Sequence, residues 1–278
     1  MTHPILDSRR AAVVTGAASG IGLAACLRFA DLGMPVCLID VADAALGPAL
    51  DKVSERTAAH GQPAIAIAAD VSTPAEMDAA CATVEDKLGG VALLMNNAVS
   101  RAGGGVWAAP ADWHKAMAVN FWGVVNGVSA FVPRMIEQGE PGMVINVGSK
   151  QGITNPPGNF AYNVTKAAVK TYTEGLQHEL RNTAGCRISA HLLVPGWTTT
   201  GDRPHQPGAW LPDQVVERML ASLRAGDFYI VCPDNEVTPE MDRARILWGA
   251  SDITENRPPL SRWHPDWKDA FAAFKPGG

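Results

Sequence analysis

No two cysteines in this chain are spaced as C-x-x-C. The five present, Cys26, Cys37, Cys81, Cys186 and Cys232, are odd in number and scattered. They read as free thiols in a reducing compartment rather than a disulfide frame. The seven histidines are also dispersed, with no zinc-like spacing to cysteine, so no metal site is expected. No apolar run approaches the ~18 residues of a membrane span, and residues 1–10 lack the apolar stretch of a secretory signal. Blocks of like charge are missing too. With 23 basic and 28 acidic residues, the net charge of -5 argues against nucleic acid or an anionic membrane as partner. A cytoplasmic location is expected by elimination.

What is there suits a large core: 47% of the residues are hydrophobic and 18% charged. Short apolar runs at 11–15, 35–39, 64–68, 91–95, 143–147, 187–194 and 227–231 read as strands. Helical stretches lie between them, near 19–32, 43–59, 73–88, 111–138, 160–183 and 212–225. Gly33 is placed to cap the first helix. In the third helix Thr73 is a candidate N-cap, Pro74 suits the first position and Glu76 completes a capping box. Met77, Cys81, Val84 and Leu88 then form one apolar stripe. His191 lies inside a strand and reads as a satisfied core histidine. Alternating strands and helices predict an α/β fold with a parallel sheet covered on both faces.

With no linker, repeat or low-complexity segment, residues 1–232 are expected to form one domain. Residues 233–278 are an extension, with a helix near 239–249 followed by Pro258, Pro259, Trp263, Pro265 and Trp267. It reads either as a strap packed on this domain or as a lid over an active site, its own or a neighbouring subunit's.

The first strand runs into Thr15-Gly16-Ala17-Ala18-Ser19-Gly20-Ile21-Gly22, which opens the first helix. Glycine there permits positive φ and lets backbone N–H groups approach a pyrophosphate, while the helix N-terminus adds partial positive charge. The position between strand and helix marks a doubly wound, Rossmann-like dinucleotide fold. Asp40 ends the second strand, where a carboxylate can accept from ribose hydroxyls and would repel a 2′-phosphate. Ala18 and Val41 beside it offer no compensating cation, which favours NAD(H) over NADP(H).

Tyr162 and Lys166 are spaced i, i+4 at the start of a helix and share a face. A phenol titrates near ~10, and a lysine cation held close would lower that value and fit the pair for general acid/base work. Ser149 follows the fifth strand, where its hydroxyl can bond a substrate oxygen. The ordered set T-G-x-x-x-G-x-G at 15–22, Asp70-Val71, N-N-A at 96–98, Asn120, Ser149, Y-x-x-x-K at 162–166 and P-G at 195–196 resembles the short-chain dehydrogenase/reductase family over residues 10–232. The resemblance implies Tyr162 as acid/base and Lys166 as its tuner and a ligand of the nicotinamide ribose. It implies Ser149 as orienter of the reacting oxygen and Asn120 as holder of a relay water. Cofactor contacts would come from Gly16, Ser19, Gly20, Ile21, Gly22, Asp40, Asp70, Val71, Asn97, Ala98, Pro195, Gly196 and Thr198. It also implies a homodimer or homotetramer joined through the two long helices that carry Phe121, Trp122, Val124 and Val125, and Ala167, Ala168 and Tyr172.

Two positions depart from the family pattern. Val99 stands where N-N-A-G has its glycine, and Lys150 follows the serine, either pointing away or recognising an anionic substrate. The substrate is expected to meet Gln151, Asn155 and Trp197, together with the aromatic residues Trp107, Phe160 and Trp210. That lining suits a medium-sized apolar or aromatic alcohol or ketone. The loop 197–211, rich in glycine and proline, is expected to close on ligand. The rival readings are a reductase of carrier-linked ketoacyl groups and a non-catalytic NAD-binding sensor.

Overall fold

Strands β1 (Ala11–Thr15) and β4 (Val91–Asn96) are buried at every residue, as central strands between two helical layers must be. With β2 (Val36–Asp40), β3 (Ala64–Ala68), β5 (Gly142–Val147), β6 (Ile188–Val194) and β7 (Tyr229–Val231) they form one parallel sheet in the order β3-β2-β1-β4-β5-β6-β7. The computed structural model describes residues 3–201 and 203–275. Side chains alternate along β1: Ala12 and Val14 join the core that contains Phe29 and Met219, and Val13 joins the core that contains Met77 and Phe131.

Helices α1 (Gly20–Asp31), α2 (Asp43–Ala58) and α3 (Pro74–Leu88) follow the first three strands, and α8 (Pro212–Ala225) precedes β7. Gly33 follows α1 at φ +82°, a left-handed C-terminal stop. The capping box expected at α3 does not form. Thr73 makes no side-chain cap, and the Glu76 carboxylate instead accepts from the Asp70 N–H at 2.7 Å. Met77, Cys81 and Val84 are buried as the stripe predicts, with Leu88 at its edge.

The helix expected over 111–138 is in three pieces: α4 (Pro110–Met117), a π turn (Ala118–Trp122) and α5 (Gly123–Glu137). Taken together, Pro110–Glu137 is long and apolar enough by composition to cross a membrane, which the reading of uninterrupted runs passed over. Half of its most apolar window is buried within the fold, so its apolar residues serve the core. Beyond β5 come α6 (Gln151–Thr154) and α7 (Phe160–Asn182). His191 is satisfied on both sides, Nε2 with Ser189 Oγ and Nδ1 with the Asp227 carbonyl, each at 2.8 Å. Burial pushes its pKa down.

The extension folds into α9 (Pro239–Thr254) and α10 (Lys268–Ala273), and α9 packs on α6. Trp248 anchors it. The indole N–H donates to Ser261 Oγ at 2.7 Å, and the Arg257 guanidinium lies over its ring.

Candidate active site

The glycine loop is shaped by contacts that a side chain would forbid. Gly16 and Gly20 have φ of +63° and +56°. A Cβ on Gly16 would lie 2.7 Å from Ala98 Cα, and one on Gly22 would lie 2.1 Å from the Gly16 carbonyl. Gly22 therefore sits behind the loop and lets it pack on α1, rather than lining the cleft. The loop is tied to the end of β4. Thr15 Oγ1 accepts from the N–H groups of Asn97 and Ala98, and Asn97 Nδ2 donates to the carbonyls of Thr15 and Gly16. Asp40 braces the same loop, with Oδ2 accepting from the Ala18 N–H at 2.9 Å and Oδ1 from the Ala42 N–H at 3.0 Å. Lone pairs on that carboxylate remain for further donors.

A cleft of about 1320 Å³ opens at the carboxyl ends of the strands, where the sheet order turns back at β1 and β4. Gly16, Ser19, Gly20, Ile21 and Asp40 line it on one side, next to Asp70 and Val71. Asn97 and Ala98 lie at its centre, and Pro195, Gly196 and Thr198 border it beyond β6. Positive-φ glycines, a free-edged carboxylate and a long cleft at the switch point fit an extended dinucleotide. A second cavity of about 460 Å³, beside His191 and Tyr229, holds none of the motif residues.

Ser149, Tyr162 and Lys166 meet in this cleft. Asn159, the N-cap of α7, accepts from the Tyr162 N–H and from the Gly104 N–H, so it sets the first turn of α7 and the loop facing it. Ser149 lies near enough to the Tyr162 hydroxyl to act on its titration. Burial raises the Tyr162 pKa, and the nearby Ser149 hydroxyl and the Arg101 charge pull the other way. Lys166, almost fully buried, donates from Nζ to the Val147 carbonyl at 2.7 Å, and burial lowers its pKa to about 8. Its ammonium lies over the Tyr162 ring, 5.7 Å from the centroid, while it donates to this strand-end carbonyl. The α6–α7 approach that holds Lys166 is tight, since a Cβ on Gly152 would come within 2.4 Å of the Lys166 carbonyl carbon.

Other expected site residues do not face the cleft. Asn120 is fully buried in the π turn. Its Oδ1 accepts from the Ser100 N–H at 2.6 Å, and its Nδ2 donates to the Ser100 carbonyl and Thr165 Oγ1. That side chain braces the loop after β4 against α7. Asn155 takes a left-handed φ of 48° to cap α6, its Oδ1 accepts from Asn163 Nδ2, and it stands outside the lining of the cleft. Trp107 is almost fully exposed, and Phe160 and Trp210 stand outside the lining. Of the expected substrate residues, Gln151 and Trp197 do line the cleft. The loop at 197–211 is pinned at its root, with Thr198 bridging Trp210 and the Trp210 N–H donating to the Trp197 carbonyl.

Lys150 reaches away from the reacting groups. Its Nζ is 2.6 Å from Asp242 on α9 and 3.6 Å from Asp234, and the three side chains are only 15%, 6% and 4% exposed. Asp234 in turn accepts from the N–H groups of Trp197, Glu236 and Val237. One buried cluster thus joins the serine turn, the root of the substrate loop and the extension. Reading the sequence missed Asp234, Asp242 and Arg101. Nothing in local spacing marks the two aspartates, whereas Arg101 lies shortly before Trp107, which was expected on the substrate side.

A glycine loop on β1, a switch-point cleft and a Ser–Tyr–Lys set beside it define a nucleotide-dependent oxidoreductase of the alcohol/carbonyl class. The family described as short chain dehydrogenase matches residues 10–206, and this chain belongs to it. The chain is similar to 1-deoxy-11-beta-hydroxypentalenate dehydrogenase from Streptomyces exfoliatus, at 37% identity over 87% of this chain and 79% of that one. Among solved structures it resembles a short chain dehydrogenase/reductase from Burkholderia phymatum in complex with NAD (TM-score 0.82, 31% identity, 93% of this chain and 98% of the other). It also resembles a metagenomic short-chain oxidoreductase in complex with NADP (TM-score 0.67, 27% identity, 81% and 97% covered). The fold is that of an enzyme family that binds a nicotinamide cofactor and acts on hydroxyl or ketone groups.

Proposed function

We propose that this enzyme interconverts a secondary alcohol and a ketone with NAD(H), using Tyr162 as the proton donor and acceptor. The observation that carries the reading is that Ser149, Tyr162 and Lys166 line the same cleft that begins at the glycine loop. The nicotinamide supplies or accepts the hydride. Ser149 holds the reacting oxygen by a hydrogen bond. In reduction the Tyr162 O–H gives its proton to that oxygen; in oxidation the phenolate oxygen takes it back. Lys166 places a positive charge behind the phenol, and Asn120 and Asn159 hold the surrounding loops in register. The test is turnover of a panel of aryl and alicyclic alcohols with NAD, followed by NADH absorbance. Absence of nucleotide reduction across the panel would refute the reading.

The preference for NAD(H) rests on Asp40, whose carboxylate lines the adenosine side of the cleft. A 2′-phosphate there would meet like charge. Asp40→Ser should narrow the NADH-to-NADPH ratio of kcat/KM by about 10- to 100-fold, in line with removing a repulsion of roughly 1–3 kcal/mol. A ratio that does not move would assign the preference elsewhere.

The enzyme is further proposed to be a homodimer or homotetramer. Trp122 and Val164 are about half exposed on the two long helical segments, a combination that a partner copy would cover. Light scattering should give two or four times the 29.4 kDa chain mass; a monomeric mass rejects the proposal.

A further inference from the structure

Among the described residues, charge is segregated along the cleft. Its acidic lining residues, among those described, are Asp40 and Asp70, both on the side of β2 and β3. The far side carries Arg101, Lys115 and Arg203. None of these three forms an ion pair among the described residues. The other two lysines in the lining are already engaged, Lys150 by Asp242 and Asp234 and Lys166 by the Val147 carbonyl. An exposed arginine is ordinarily just solvated. Arg101 differs because it is held in place. One of its terminal nitrogens donates to Thr200 Oγ1 at 2.6 Å and to the Thr200 carbonyl at 3.3 Å, across from the opposite loop. It lies near enough to Tyr162 for its charge to act on that hydroxyl. The remaining N–H groups of the guanidinium form an edge that makes no hydrogen bond among the described residues. A guanidinium presents five donors in a planar fork that matches a carboxylate in two-pronged fashion.

We propose that the substrate of this enzyme carries an anionic group, a carboxylate or one of like geometry, that pairs with Arg101 while its hydroxyl or carbonyl meets Ser149 and Tyr162. This deepens the oxidoreductase reading and rests on it. Trp197, half exposed on the same side, offers apolar surface to the carbon frame between the two ends. Lys115 and Arg203 add long-range attraction at the mouth. A cofactor pyrophosphate is also an anion, so the test must separate the two sources.

Secondary alcohols of the alicyclic and aryl series are compared as free carboxylates and as their methyl esters, with NAD, in the intact enzyme. The acids should exceed the esters by at least about 10-fold in kcat/KM. In Arg101→Gln that ratio should collapse towards one, mainly through a rise of about 10- to 100-fold in KM for the acids, and Arg101→Lys should restore part of it. NADH affinity of the variant, read from tryptophan quenching, should match wild type. A loss of NADH affinity with the acid-to-ester ratio intact would assign Arg101 to the pyrophosphate and overturn the proposal. Esters preferred by the wild-type enzyme would overturn it as well. A binding arm decides the matter without turnover. Cyclohexanecarboxylate should raise the Tm of the NADH-saturated enzyme, cyclohexanecarboxamide should not, and Arg101→Gln should erase the difference. If that difference is present and no alcohol is oxidised, the anion site stands and the oxidoreductase reading fails; if it is absent, the anion site fails.

Discussion

Tyr162→Phe is expected to lower kcat by about 10²- to 10⁴-fold in both directions, the range that a positioned general acid/base contributes. The ring keeps its packing, so the variant should fold and bind cofactor like the parent. What it loses is the O–H proposed to pass the proton. The pH dependence separates the two directions. Burial keeps the phenol above its ordinary pKa, so at neutral pH it is protonated and ready to serve as the acid in reduction. Oxidation needs the phenolate, so its rate should climb as pH rises from neutral. Lys166, lowered to about 8 by its burial, loses its charge above that pH, and the climb should then turn over. Reduction should be flat below the same point. Stopped-flow or steady-state rates across pH, in both directions, check this. An oxidation rate independent of pH, or a phenylalanine variant of parental activity, would remove Tyr162 from the chemistry.

Lys150→Met is expected to be the most damaging single change to stability outside the core. It leaves Asp242 and Asp234 buried without their cation, and breaking a buried pair in this way costs about 3–5 kcal/mol. Asp234 is partly compensated by three backbone donors. Burial already outweighs Lys150 in setting the Asp242 pKa, which is raised, so the carboxyl can escape part of the penalty by taking a proton. The loss should therefore sit at the lower end, about 3 kcal/mol, or a fall of about 6–12 °C in Tm. Its pH dependence has a definite sign. A carboxyl raised further in the folded state binds more protons there than in the unfolded chain, so the defect should grow as pH rises through the carboxylate range. Lys150→Met with Asp242→Leu should recover much of the stability, because an apolar pair can replace a buried ionic one. Thermal melts of the single and double variants decide it. A single variant as stable as the parent would mean that the cluster holds nothing together. Substrate KM should rise in the single variant as well, since Asp234 also holds the Trp197 N–H.

The periodicity of the chain was enough to place the sheet, the helices and the glycine loop, because burial on both faces writes itself as unbroken apolar runs. It was also enough to pair Tyr162 with Lys166, since one helical turn is a local rule. It did not show which side-chain amides and carboxylates would be used to brace the fold. Asn120 is bonded to the loop after β4 and to α7, and the Asn155 carbonyl oxygen accepts from Asn163. Glu76 had the spacing of a capping box, but the Asp70 N–H lay nearer.

Composition and local spacing alone determined the fold class and the glycine loop of a nicotinamide-binding family, each of which depends on contacts within a turn or on alternation along a strand. Only the tertiary structure decided what Lys150 and Arg101 do. A long cation looks the same in the sequence whether it ends on a buried aspartate or beside an open cleft. Which of these holds depends on Asp234 and Asp242, some eighty to ninety residues further on, for one, and on Thr200 across the cleft for the other.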